Sequence, residues 1–277
     1  MLRLMLTSHP NIVIPPECGF AIWWAAKYEN WQIGQVPEFI ADLKSSKKIE
    51  TWNLDYPRLV DFLNSQRPTS YANVVSLVYE FYARSRKPGF QRWGDKNNFY
   101  LDHVPALHAL FPCAQFVHIV RDGRDVACSY RKLSGAKIES CYAPKLPGDV
   151  REIARLWKSN LQTVADAFSA IPRKQALMVR YEDVVRQTEL TLRRISTFLG
   201  QEFDPIMLDY HHLNKMEKLE PAEFLQWKAN TLNKPMPERI GNFAHELTWD
   251  ETNAFEEIAE TALKSHGYEL GCQTPKL

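Results

Sequence analysis

The stretch from residue 116 to residue 130 constrains the fold more than any other part of the chain. It reads FVHIVRDGRDVACSY, and its first five residues are mostly apolar and β-branched, which is typical of a strand buried in a parallel sheet. Residues 121–125 interrupt this pattern, and residues 126–128 resume it at helical spacing, with Asp122 or Asp125 as the helix cap. A strand that runs directly into a helix points backbone N–H groups at one place beyond the sheet edge, and that place attracts anions.

Two side chains near this place suit a phosphate. Arg121 stands at the end of the strand and offers a guanidinium fork, and Ser129 stands in the helix and offers a hydroxyl. The alternative is that Arg121, Asp122, Arg124 and Asp125 form an ion-pair cluster on the surface. This stretch alone does not decide between the two interpretations.

Composition limits the class of protein. The 277 residues are 45% hydrophobic, enough for the core of one large α/β domain or two small ones. The formal charge is only +1, so any anion site is local and we expect no nucleic-acid partner. The five cysteines show no CxxC spacing, no signal-peptide pattern is visible, and no apolar run reaches about 18 residues. We therefore expect a reduced, cytoplasmic protein without a membrane span.

The first residues predict a helix, a strand and a loop. Residues 2–6 have the composition of a helix interior, and Pro10 prevents its continuation. Residues 12–14 are a short strand candidate, and residues 15–19 form a loop directly after it. Glu17 in this loop is either an ordinary exposed carboxylate or part of a site.

The region from residue 20 to residue 92 is rich in aromatic residues and is predicted to be helical. Helices are predicted over 37–48, 56–66 and 70–86. In the last of these, apolar side chains recur at i, i+3, i+4 and i+7, a stripe that is more typical of a core than of a ligand site.

The rest of the chain alternates helices with strands. The predicted elements are a helix over 103–110, the strand over 116–120, a loop over 131–149, a helix over 149–170, a strand turning into a helix over 176–183, and helices over 188–200 and 248–265.

Five segments, in order, resemble the sulfotransferases that use 3′-phosphoadenosine-5′-phosphosulfate (PAPS), including the tyrosylprotein sulfotransferases. These segments are the loop with Glu17, the run Gly94-Asp95-Lys96, the stretch from Arg121 to Ser129, the run Val179-Arg180-Tyr181-Glu182-Asp183, and the run Arg239-Ile240-Gly241. Two positions depart from the family pattern. Asn97 and Asn98 follow Lys96 where Thr-Pro is usual, and Asn242 stands where a basic residue is usual.

The resemblance implies how the cofactor is held. Arg121 and Ser129 would bind the 3′-phosphate, Tyr181 would lie near the adenosine, and Arg239 and Gly241 would close over the cofactor. For Tyr181, packing against the sheet edge is an equally good interpretation.

The resemblance also implies two catalytic side chains. Lys96 would approach the sulfo group and offset charge on the leaving oxygen, although a solvated surface lysine is the plain alternative. Glu17 would take the proton from the acceptor hydroxyl. His9 is a second candidate base, but the pair His9-Pro10 is more simply a turn that ends a helix.

The implied fold is α/β, with a P-loop-NTPase-like parallel sheet flanked by helices. We expect a single domain over 1–277 with a helical insertion at about 20–92 that covers the acceptor. In the family, a strand and a 5′-phosphosulfate loop of the type R-S-G-T-T precede the helix that residues 2–6 resemble. The resemblance therefore implies that this N-terminal strand is missing and that the true start lies upstream of Met1.

The implied reaction is transfer of a sulfo group from PAPS to a hydroxyl or amine. The acceptor would be a small molecule, a carbohydrate or a peptide, and we expect no metal. One alternative is a truncated, non-catalytic remnant that binds the cofactor product weakly or not at all. Another is a different P-loop transferase, such as a small-molecule kinase, which needs a G-x-x-x-x-G-K-[ST] loop that this chain lacks.

Overall fold

The strands of the protein form two parallel pairs. The computed structural model describes residues 1–271. In it β1 (Ile12–Val13) pairs with β2 (Arg92–Trp93), and β3 (Phe116–Val120) pairs with β4 (Ala176–Arg180). Within the described residues, no backbone ladder joins the two pairs into one sheet.

Helices surround these strands. The α-helices, in chain order, are α1 (Leu2–Ser8), α2 (Phe20–Trp23), α3 (Val36–Ser45), α4 (Tyr56–Gln66), α5 (Tyr71–Arg86), α6 (Val104–Leu110), α7 (Gly123–Ser134), α8 (Val150–Ser169), α9 (Tyr181–Arg186), α10 (Thr188–Phe198), α11 (Tyr210–Glu217), α12 (Leu225–Lys228), α13 (Phe243–Glu246) and α14 (Trp249–Ser265). Short 3-10 helices cover Ile33–Gln35, Ile49–Trp52, Asn98–His103, Arg173–Gln175, Pro205–Asp209, Ala222–Phe224, Ala229–Leu232 and Pro237–Arg239. Across residues 1–271, no helix is both long enough and apolar enough to cross a membrane.

Side-chain caps set the starts of the longer helices. Oxygens of Ser70, Asp122, Asp149 and Thr248 accept hydrogen bonds from first-turn backbone N–H groups of α5, α7, α8 and α14. Thr248 and Glu251 also bond reciprocally as a capping box. The starts predicted for α5, α8 and α14 are therefore right to within one residue, and Asp122 rather than Asp125 caps α7.

Two predicted boundaries are wrong by three residues or more. The helix predicted over 37–48 ends at Ser45, because Ser46 takes an extended conformation and Lys48, with a left-handed φ of 75°, precedes a 3-10 helix. The loop predicted from residue 131 begins only after Ser134. The last turn of α7 stays helical there, since Arg131 donates to Glu251 at 2.8 Å and anchors it to α14.

The buried apolar side chains form several clusters. The largest cluster contains residues of the four helices from α2 to α5 and of the chain around β1. A second lies between α7, α8 and α14, and a third contains residues of α1, β1, β4 and α10. The stripe predicted in residues 70–86 belongs to the first cluster, with these side chains buried: Tyr71, Val74, Val75, Val78 and Tyr82.

The two strand pairs position the predicted site residues. Val13 is in register with Trp93, so the loop with Glu17 and the loop with Lys96 leave the same edge of the first pair. Val120 is in register with Arg180, so Arg121 and Tyr181 follow side by side at the same edge of the second pair. Parallel pairing therefore brings residues that are far apart in sequence to neighbouring places.

Candidate active site

Glu17 is surrounded by three lysines at the carboxyl ends of β1 and β2. Its Oε2 accepts a hydrogen bond from Lys48 Nζ at 2.8 Å, and its Oε1 accepts one from Lys228 Nζ at 3.1 Å. Lys96 Nζ donates to the same Oε1. Only 9% of Glu17 is exposed, so this residue is not an ordinary surface carboxylate.

Asp95 anchors the loop that carries Lys96. Its Oδ1 accepts a hydrogen bond from the Lys96 backbone N–H at 2.6 Å. Its Oδ2 accepts hydrogen bonds from the hydroxyls of Tyr79 and Tyr100, each at 2.5 Å. Loss of hydration around Asp95 raises its pKa to about 6, although these three donors favour the ionised form.

Lys48 and Lys228 are the site residues that sequence reasoning missed. Both ammonium groups lie over the buried ring of Phe224, at 5.3 Å and 4.7 Å from its centroid, and this ring helps to hold them beside Glu17. Lys48 stands at the end of the helix predicted over 37–48, and Lys228 belongs to the short α12. No local pattern marks either residue, because only tertiary packing brings them to Glu17.

The charges in this cluster are unbalanced. Burial alone would raise the pKa of Glu17, but the three ammonium groups outweigh it and hold that pKa well below its usual range. Glu220 accepts hydrogen bonds from Arg3 Nη2 at 2.7 Å and from Lys228 Nζ at 2.9 Å. Four cationic side chains thus meet two carboxylates, and the excess positive charge suits an anionic ligand.

A second cluster lies at the carboxyl ends of β3 and β4. The Arg121 guanidinium lies 4.7 Å from the centroid of the Tyr181 ring, and its Nη2 donates to the backbone oxygen of Arg239 at 3.3 Å. Asp125 Oδ2 lies 3.6 Å from that Nη2 and accepts a hydrogen bond from the Gly241 N–H at 2.9 Å. Four of the five predicted cofactor-binding residues therefore meet here. Asp125 lies among them but was not predicted to bind the cofactor.

The fifth residue, Ser129, lies on α7 one turn after Asp125, so the two side chains share a face of the helix. Ser129 is half-buried, and within residues 1–271 no hydrogen bond joins it to Arg121. The Arg121 Nε is buried and has no hydrogen-bond partner among the described residues. A buried donor without a partner is costly, so this atom fits a ligand that supplies an acceptor.

All four charged side chains of residues 121–125 take part in ion pairs, Arg121 with Asp125 and Arg124 with Asp122. Arg124 Nη2 donates to Asp122 Oδ2 at 2.7 Å, and Arg124 Nη1 pairs with Glu256 of α14. These side chains are buried rather than on the surface. They fasten the start of α7 to α14 and leave Arg121 to face Tyr181.

His9 is committed to the turn after α1. Its Nε2 is 2.8 Å from the backbone oxygen of Glu202, and its Nδ1 accepts a hydrogen bond from the Asn11 N–H at 3.1 Å. Only 2% of the residue is exposed. Both ring nitrogens are occupied, which favours the turn over a role as the base.

Comparison with known proteins finds relatives over most of the chain. A family model described as "Sulfotransferase family" matches residues 1–205. Protein-tyrosine sulfotransferase A of Caenorhabditis elegans is 28% identical over 216 residues, which cover 77% of this chain and 50% of that protein. Protein-tyrosine sulfotransferase 2 of Gallus gallus is 25% identical over 218 residues, 77% of this chain and 51% of that protein. The chain thus spans about half the length of these curated relatives.

Two solved structures share the fold. The sulfotransferase domain from the curacin biosynthetic pathway has a TM-score of 0.58 at 20% identity, with 97% of this chain and 93% of that chain covered. The sulfotransferase domain from the Synechococcus PCC 7002 olefin synthase has a TM-score of 0.62 at 20% identity, with 94% and 88% covered. The predicted α/β sulfotransferase fold is therefore confirmed. Because the family match runs from residue 1 to residue 205 of 277, this chain belongs to the sulfotransferase family.

Proposed function

We propose that the protein transfers a sulfo group from PAPS to a hydroxyl acceptor at the carboxyl ends of its two strand pairs. The observation that carries this proposal is the direct contact of Glu17 with Lys96 among excess positive charge. The relatives are named protein-tyrosine sulfotransferases, which supports a hydroxyl on a peptide as the acceptor. No metal takes part in the proposed reaction.

The transfer needs a base beside the acceptor oxygen and a cation beside the leaving oxygen. The acceptor oxygen would form a bond to sulfur while the bond from sulfur to the leaving phosphate oxygen breaks. Lys96 would stabilise the negative charge that develops on that leaving oxygen. Glu17 would take the proton that the acceptor oxygen loses, and the chain would otherwise contribute by positioning.

Glu17 alone is a weak base, because three ammonium groups lower its pKa. An anionic phosphosulfate beside Lys96 and Lys228 offers those lysines other oxygens to bind. Each lysine that turns to the anion weakens its hold on Glu17, so the pKa of Glu17 rises when the donor is bound. We therefore expect the base to become competent only in the loaded site.

The cluster around Arg121 fits the 3′-phosphate and adenosine of the same PAPS molecule. Arg121 has an unpartnered Nε, and Tyr181 presents a ring against its guanidinium. Ser129 shares a helix face with Asp125, from which its hydroxyl would reach the phosphate. Arg239 and Gly241 would form the outer wall of the site through their contacts with Arg121 and Asp125.

The domain organisation belongs to the same proposal. Residues 1–277 would act as a single domain, and the helical region at about 20–92 would cover the acceptor. Its buried side chains form one cluster that also takes in Val13 and Cys18, which supports a helical region packed against the loop of Glu17. The family model that matches residues 1–205 is that of the sulfotransferases and gives no support to a kinase.

The experiment is calorimetry with 3′-phosphoadenosine-5′-phosphate (PAP) together with a sulfo-transfer assay using labelled PAPS and a tyrosine-containing peptide. We expect PAP to bind, and Arg121→Ala to weaken that binding by at least about 10-fold, as for loss of a charge-assisted hydrogen bond. Arg193→Ala is the matched control, because Arg193 pairs with Glu189 on the exposed surface of α10. No binding of PAP by the unaltered protein would contradict the proposal and favour the non-catalytic remnant.

A further inference from the structure

Two exposed aromatic rings, of Trp23 and Phe99, follow Glu17 and Lys96 closely in the sequence and contact each other. Trp23 is 39% exposed and Phe99 is 40% exposed, and their ring centroids are 6.1 Å apart at an angle of 53°. Trp23 follows Glu17 by six residues, and Phe99 follows Lys96 by three. The two rings therefore belong to the short helices, Phe20–Trp23 and Asn98–His103, that follow the loops of the proposed catalytic groups.

Trp23 is held in place by a glycine. A Cβ atom on Gly19 would lie 2.6 Å from Trp23 Cε2, which shows that the indole packs directly against the Gly19 backbone. Any larger residue at position 19 would push this ring away. The indole is thus fixed on one side and open to solvent on the other.

Phe99 is held by its own short helix. Its backbone N–H donates to Asn97 Oδ1 at 3.2 Å, and its ring lies 4.2 Å from the centroid of the His103 ring. Tyr100, the next residue, donates to Asp95 and to the backbone oxygen of Cys18 at 3.3 Å. Tyr100 therefore ties the loop of Lys96 to the loop of Glu17 and keeps Phe99 near Trp23.

We propose that Trp23 and Phe99 form the acceptor site, and that this site binds a phenol ring by stacking and edge contacts. This inference rests on the proposed function, because the proton that Glu17 would accept comes from the hydroxyl of that phenol. Aromatic rings prefer offset or tilted contacts with one another. The tilted pair of Trp23 and Phe99 offers both a ring face and a ring edge for such contacts. Since both rings are fixed before the acceptor arrives, little ordering entropy opposes its binding.

Steady-state kinetics with a short tyrosine-containing peptide tests this site. We expect Trp23→Ala and Phe99→Ala each to raise the KM for the peptide about 10-fold while the affinity for PAP, measured by calorimetry, stays within 2-fold. Trp23→Phe should recover part of the loss. Gly19→Ala should act like Trp23→Ala, because it displaces the indole. Trp249→Ala is the control, since Trp249 is 51% exposed at the start of α14.

Failure of this site and failure of the proposed function give different results. If turnover persists and both alanine variants keep the KM of wild type, the acceptor site is wrong and the reaction stands. If Trp23→Ala and Phe99→Ala raise the KM for a glucosamine acceptor as much as the KM for the peptide, the preference for a phenol is also wrong. If no turnover is found, binding of tyramine is measured by calorimetry instead. Loss of tyramine binding in Trp23→Ala supports the site, and unchanged or absent binding overturns it.

Discussion

The role of Glu17 depends on its three lysine partners. As a carboxylate with a strongly lowered pKa, it is ionised at neutral pH. Its negative charge reduces the repulsion among the three lysine ammonium groups that surround it. A single substitution therefore tests both of its proposed roles. The role as a base is read from kcat, and the role as partner of the lysines is read from the affinity for PAP.

We expect Glu17→Gln to lower kcat by at least about 100-fold, within the range for loss of a general base. Affinity for PAP should stay equal or increase, because the three lysines lose an anionic competitor. Glu29→Gln is the control, since Glu29 is an exposed carboxylate of the same region. Full activity of Glu17→Gln in the labelled-PAPS assay would remove Glu17 as the base.

Asp95 gives the protein a pH-dependent stability. Its pKa is raised from 3.8 to about 6 in the folded protein, so between these values the folded state binds more protons than the unfolded state. The stability that this proton uptake contributes is complete below about pH 4 and is lost as pH rises through about 6. The loss is on the order of 2 to 3 kcal/mol.

Urea unfolding of wild type and Asp95→Asn at a series of pH values checks this prediction. The difference in free energy of unfolding between the two proteins should change between pH 4 and pH 7 and be constant above it. The relative stability of wild type should fall as pH rises. A difference that does not vary with pH would show that Asp95 has an ordinary pKa.

At the scale of elements, α7 depends on a glycine at its first residue. A Cβ atom on Gly123 would lie 2.5 Å from Phe255 Cζ and 2.6 Å from Trp157 Cδ2, so α7 packs against α8 and α14 without room for a side chain. We expect Gly123→Ala to destabilise the protein by about 1 to 3 kcal/mol in urea unfolding. Gly89→Ala, with nothing within 4 Å of the added Cβ, should change stability by less than about 0.5 kcal/mol. Equal stability of the two variants would contradict this account of the packing.

Elements whose signals are local were predictable from the sequence. The strands at 116–120 and 176–180 are mostly apolar runs that lead directly into a helix, and the structure confirms both predicted junctions. Helix ends were less predictable, because tertiary contacts such as that of Arg131 with Glu251 extend α7 beyond its local pattern.

The candidate site was predictable only in part for the same reason. Glu17 and Lys96 lie in segments that resemble family motifs and were predicted as site residues, whereas Lys48 and Lys228 lie in none. Both lysines owe their position to Phe224 and to folding of segments far apart in sequence. The sequence alone therefore predicts the contact pair of the candidate site better than the lysines that surround it.

At the scale of the whole molecule, the cofactor would join two parts that share no backbone ladder. Lys96 follows the first strand pair, and Arg121 follows the second. A ligand that binds only the folded protein stabilises it by about 2.7 kcal/mol at a concentration 100 times its Kd. For a chain of 277 residues, this corresponds to a rise in Tm of about 5 °C.

We expect PAP at a fixed concentration to raise the Tm of wild type by this amount, and both Lys96→Ala and Arg121→Ala to reduce the rise by half or more. Thermal scans of each variant with and without PAP measure the rise independently of the variant's own stability. Lys158→Ala, on the outer part of α8, should keep the full rise, since its ammonium bonds the backbone of α14 at an exposed position. If Lys96→Ala keeps the full rise while Arg121→Ala loses it, PAP contacts only the second strand pair. The first pair would then contact only the sulfo group, which PAP lacks, so PAP itself would not bridge the two clusters.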